Sequence, residues 1–150
     1  MTLYYYGTQT DDALKIAAEG EILSLWEQEI QRLQSLKQKK PDMFRNILNT
    51  FNRTYQMTDE ELIAFELASA GYRTREINDR VRCVRFFSST SHIPEPYETI
   101  LALEFIKDQG SVLFLPRKVP LDGLKEVHFK TREEEHRIAF EKYYPKFIKL

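Results

Sequence analysis

The chain is 150 residues long, 42% hydrophobic and 30% charged, a balance that folds as a globular domain and excludes a disordered chain. Its formal net charge of -1 excludes polyanion binding driven by bulk charge and leaves room only for a local basic patch. Cys83 is the single cysteine, which excludes an intrachain disulfide and a cysteine-built zinc site, and no apolar run reaches the roughly 20 residues of a membrane span.

Met1 to Tyr6 carries neither a basic n-region nor a cleavage site, so the expected address is cytoplasmic, with no membrane partner. Leu3 to Tyr6 reads as a short aromatic strand closed by a turn at Gly7-Thr8. Thr10 or Asp11 can cap a helix bearing Ala13, Leu14, Ile16 and Ala17, with Gly20 as its stop signal. Ser24 and Glu27 have capping-box spacing, and Trp26, Ile30 and Leu33 recur behind them at helical period. Phe44, Ile47, Leu48, Phe51 and Tyr55 predict a third helix. Thr58 and Glu61 cap a fourth that ends at Gly71.

After a polar, arginine-bearing connection from Tyr72 to Arg80, Val81 to Phe87 reads as a strand and Ser88 to His92 as a polar loop. Tyr97 to Ile106 fits either a helix starting at Pro96 or a strand, because a short apolar run does not separate the two periods. Asp108-Gln109-Gly110 reads as a turn and Ser111 to Leu115 as a buried strand. Leu124 to Phe129 follows as another strand, Arg132 to Tyr143 as the last helix and Lys146 to Leu150 as a terminal strand. The expected class is α+β in one domain over residues 1–150: an N-terminal strand, a helical middle, and a mostly antiparallel C-terminal sheet with a late helix.

Gly-rich phosphate loops, HExxH, GxSxG and HxT pairs are absent, and His92, His128 and His136 lie apart without ligand spacing, so no metal site is expected. His92 and His136 read as surface residues. Three segments carry chemistry: Tyr5-Tyr6-Gly7-Thr8 at a strand end, Phe87 to Ser91 with clustered hydroxyls, and Glu126 inside the strand Leu124 to Phe129. In this order they resemble the ADP-ribosyltransferase family. There the first strand carries Arg or His followed by Gly, the second motif is Ser-Thr-Ser, and a later strand holds a catalytic Glu. Ser89, Thr90 and Ser91 match the second motif, Glu126 matches the catalytic position, and Tyr6 stands where the family has its Arg or His.

The resemblance implies NAD held by Tyr6, Gly7, Thr8, Ser89, Thr90 and Ser91, with Glu126 stabilising the transition state as ADP-ribose passes to an unknown protein or nucleic-acid acceptor. Arg73, Arg75 or Arg85 is then the replacement guanidinium for the pyrophosphate. The segment from Phe86 to Thr99 and the C-terminal run from Leu124 also look like an uncharacterised bacterial family found near phage-defence systems. No activity follows from that likeness; the alternative expectation is a non-enzymatic protein- or nucleic-acid-binding module, phage- or defence-related, that uses the helical middle or the basic stretch Arg73, Arg75, Arg80, Arg82 and Arg85. Each candidate has a structural alternative: strand packing for Tyr4 to Tyr6, turn hydrogen bonds for Ser88 to Ser91, and a solvent-facing position for Glu126. On these readings residues 24–70 are scaffold, and the strand-rich ends carry the site.

Overall fold

The computed structural model describes residues 1–50, 82–106 and 110–150, without the side chains of residues 47–50. The helix expected at Thr58 to Gly71, the arginine-bearing connection from Tyr72, and Val81 lie outside the described residues. So do the far end of the third helix and Asp108-Gln109 of the expected turn.

The described elements run β1 (Thr2–Thr8), α1 (Thr10–Glu19), β2 (Glu21–Leu23), α2 (Leu25–Lys39), α3 (Pro41–Thr50), β3 (Cys83–Phe87), β4 (Thr99–Phe105), β5 (Val112–Pro116), β6 (Lys118–Pro120), β7 (Leu124–Phe129), α4 (Glu133–Phe140) and β8 (Lys146–Lys149). The class is α+β. The six-stranded sheet has the order β5-β3-β1-β4-β7-β8, and β2 pairs with β6 in a separate ribbon. Within the large sheet β7 and β8 are parallel and the other neighbours antiparallel. β1 is therefore an interior strand of this sheet, not an appendage to a C-terminal one.

α1 forms because Ala13, Ile16 and Ala17 fall on one stripe and bury together against the sheet. Gly20 ends it in the left-handed conformation (φ 80°), its N–H donating to Ile16 O at 2.8 Å. The N-cap is Gln9, ahead of both expected candidates, Thr10 and Asp11. The Thr10 N–H is satisfied from a distance, donating to Glu98 Oε1 at 3.1 Å. Ser24 caps α2 as its spacing predicts, accepting from the Glu27 N–H at 3.1 Å, and Trp26, Ile30 and Leu33 are buried. Ser24→Ala is expected to lower stability by about 1 kcal/mol, read as a shifted urea midpoint with unchanged slope.

The ambiguous segment after Pro96 is a strand, because β4 pairs along its length with β1 on one side and β7 on the other. β5 is an edge strand with Phe114 46% exposed, so the expected buried strand is half-open to solvent. β7 has the expected bounds. A register shift opposite Ala102 and Leu103 puts Leu124 in the core with Val127 and Phe129, not on the Glu126 face.

One face of the sheet carries Tyr4, Leu101, Leu103, Val127 and Phe86, and packs on α1 and on Phe140 of α4. Arg132, expected as the first helical residue, is instead the left-handed N-cap of α4, and its guanidinium bridges Asp11 and Glu135. His136 is a correction of larger consequence. It is fully buried rather than on the surface, lying between the rings of Phe129 and Phe140.

Candidate functional site

β1 and β3 meet at one registered pair, Tyr5 with Phe87, and toward the end of β1 they part. A cleft of about 230 Å³ fills the wedge. Tyr6 and Gly7 line it from β1, Val84, Arg85 and Phe87 from β3, and Ser24 and Gln28 from the start of α2. Its mouth is crossed by the segment Ile93–Tyr97, here termed the strap, which contributes Ile93 and Glu95.

The α2 end is fixed by a strained corner. Arg117, between β5 and β6, is left-handed (φ 64°), a conformation costing a non-glycine residue about 1–2 kcal/mol. Its carbonyl accepts the Ser24 N–H at 2.7 Å, and its own N–H donates to Arg82 O at 3.0 Å. Its guanidinium reaches Glu27 at 3.2 Å, while that of Arg82 stacks 4.3 Å over Trp26. Three segments, the start of α2, the corner between β5 and β6 and the entry to β3, are thereby tied at one end of the cleft.

The strap rests directly on β1. A Cβ on Gly7 would stand 2.8 Å from Ile93 Cγ2 and 3.3 Å from Tyr97 Cβ, so the close approach needs a residue without a side chain. Glu95, between two prolines, forms an ion pair with Arg85 across the mouth, and the Arg85 guanidinium also lies 5.7 Å from the Phe87 ring centroid. The Tyr6 ring leans on Phe86 at 5.8 Å between centroids. Burial raises the Tyr6 phenol above its ordinary pKa, and the nearby Asp12 and Glu95 carboxylates add to the shift while Arg85 opposes it. The hydroxyl therefore stays a neutral donor throughout the physiological range.

The sequence-derived site residues divide into four groups. Tyr6 and Gly7 line the cleft. Thr8 lines a smaller hollow behind Tyr6, shared with Asp12, Lys15 and Gln28. Ser89 caps the 3-10 turn Thr90–His92 that follows β3, and its hydroxyl lies 2.9 Å from that of Ser91. Ser89, Thr90 and Ser91 do not line the cleft.

Glu126 does not line the cleft. Its register partner is Ala102, whose partner is Tyr5, whereas Tyr6 faces Leu101 and then Val127. Paired residues share a face, so Glu126 and Tyr6 project oppositely, and with β7 two strands from β1 and Glu126 absent from the cleft's lining, the expectation that the two line one cleft is corrected. The Glu126 carboxylate instead lies 3.0 Å from His128 Nε2, with the Tyr5 ring edge-on to the imidazole.

Ser24, Gln28 and Glu95 were missed, and the first two place the start of α2 in the site rather than in scaffold. The capping box was the available signal, since it marks a helix terminus. Arg73, Arg75 and Arg80 lie outside the described residues, while Arg82 and Arg85 are engaged with Trp26 and Glu95. Among the described residues no cluster of His, Cys, Asp and Glu could hold a metal, and no helix is long and apolar enough to cross a membrane. No family model matches the chain, and no curated protein matches it.

Proposed function

We propose that the cleft between β1 and β3 binds NAD, and that the domain is ADP-ribosyltransferase-like, passing ADP-ribose to an acceptor. The observation that carries this reading is the parting of the strands beside Tyr6-Gly7. It creates a concave site with aromatic walls, one guanidinium and a few hydrogen-bonding groups, the make-up of a nucleotide pocket. The size of the cleft suits one half of a dinucleotide, with the remainder lying along the open mouth. Tyr6 and Phe87 offer faces for a planar base, Gln28 and the Tyr6 hydroxyl offer hydrogen bonds, and Arg85 offers a fork for the pyrophosphate. A neutral phenol in place of the family's Arg or His leaves the phosphate charge to Arg85.

The alternative, a nucleic-acid-binding module, is less favoured by the same geometry. Arg82 and Arg85 are drawn into the cleft's own framework instead of forming a row along a surface.

NAD that binds only the folded state stabilises it by about 2.7 kcal/mol at a hundredfold excess over Kd. For a chain of this length that is a rise in Tm of about 6 °C. Arg85→Ala is expected to abolish most of the shift. A Tm unmoved by millimolar NAD sinks the proposal.

A further inference from the structure

We infer that Glu95 on the strap is the catalytic carboxylate of this cleft, and that Glu126 is not. The inference rests on the NAD-binding reading above and deepens it. Breaking the bond between ribose C1′ and the nicotinamide nitrogen builds positive charge on C1′ and the ring oxygen. A carboxylate placed in the cleft beside the ribose stabilises that charge most. Glu126 does not line the cleft: it stands on β7, two strands from β1, with its carboxylate 3.0 Å from His128 Nε2. Among the described residues that line the cleft, Glu95 is the one carboxylate.

Its setting suits the task. Pro94 and Pro96 restrict the backbone on either side of Glu95, and the contacts of Ile93 and Tyr97 over Gly7 hold the strap on β1. Arg85, from the opposite wall, pairs with the carboxylate at the mouth. An arriving pyrophosphate offers that guanidinium the same forked geometry with more negative charge. Phosphate then competes with Glu95 for that guanidinium, with the carboxylate at the mouth of the cleft.

With water as the simplest acceptor the step balances without a redox partner. The C1′–N bond breaks with its electron pair passing to the pyridine nitrogen, and neutral nicotinamide leaves. A water oxygen forms the new C1′–O bond, and its proton goes to solvent. Glu95 supplies charge and is not consumed.

The test uses the full chain with NAD, following nicotinamide release by chromatography and NAD affinity by calorimetry. Glu95→Gln is expected to keep or tighten NAD binding, since the competitor for Arg85 loses its charge. Nicotinamide release should fall by about 100-fold or more. The Glu95 side chain is half exposed, so the variant is expected to melt with the wild type, which the same preparation checks. Glu126→Gln should leave both affinity and release unchanged. Release that survives Glu95→Gln, release that disappears with Glu126→Gln, or a wild-type chain that binds NAD without releasing nicotinamide overturns the inference and leaves NAD binding standing. A wild-type chain that does not bind NAD overturns the binding reading itself.

Discussion

Replacing His136 with alanine is expected to cost about 3 kcal/mol of folding stability, a large loss for one side chain in a domain of this size. The imidazole is fully buried, with Phe129 and Phe140 rings at 5.7 and 6.5 Å and interplanar angles of 26° and 14°. Its Nδ1 faces the Arg132 carbonyl at 2.8 Å, so that nitrogen carries the proton, and Nε2 accepts from the Thr99 hydroxyl at 2.7 Å. Alanine removes the stacked ring and leaves the buried Thr99 hydroxyl without its acceptor. The two losses separate experimentally. His136→Phe keeps most of the volume but still strands the hydroxyl, and is expected to cost about 2 kcal/mol. Urea unfolding with an unchanged slope gives both values. A cost below about 0.5 kcal/mol for alanine would place His136 at the surface after all.

His136 shows where the sequence was opaque. A histidine three residues into a Glu-rich first turn looks solvated, because nothing local announces that β4 runs beneath it with Thr99 aimed upward. Elements whose signals are local were legible. Gly20 ends α1 and Ser24 caps α2, each by hydrogen bonds within a few residues. β2 and β6 were invisible for the opposite reason. Three residues each, they exist only because Ile22 meets Val119 across the fold. β4 was undecidable until its two neighbouring strands were known.

The same division runs through the site. Tyr6-Gly7 was legible as a strand end beside a residue lacking a side chain. The face Tyr6 shares with other strands was not, because it depends on register: Tyr6 opposite Leu101, and Leu101 opposite Val127. A slip of one residue would have brought Glu126 to the Tyr6 side. Arg85 and Glu95 are ten residues apart in sequence, and neither period nor spacing hints that the chain between them turns back across the cleft. The convergence depends on the strap, and the strap depends on Gly7.

Gly7→Val tests that dependence. Gly7 lies in an ordinary strand that β-branched residues favour, paired opposite Ile100, so the backbone itself should accept valine. The whole penalty falls on the contacts above it. Even the Cβ lands 2.8 Å from Ile93 Cγ2, inside van der Waals contact, and valine's methyl groups extend further. Overpacking of this kind is expected to cost about 2 kcal/mol and to lift the strap from β1. Lifting it carries Glu95 away from Arg85, so the NAD-induced rise in Tm should change together with stability. Ile93→Ala on the same background removes the colliding atoms. The double variant is expected to recover at least half of the loss, a coupling of about 1 kcal/mol or more in a double-mutant cycle. If the two substitutions simply add, the strap is held by something other than its seat on Gly7. The cleft would then have to be described without it.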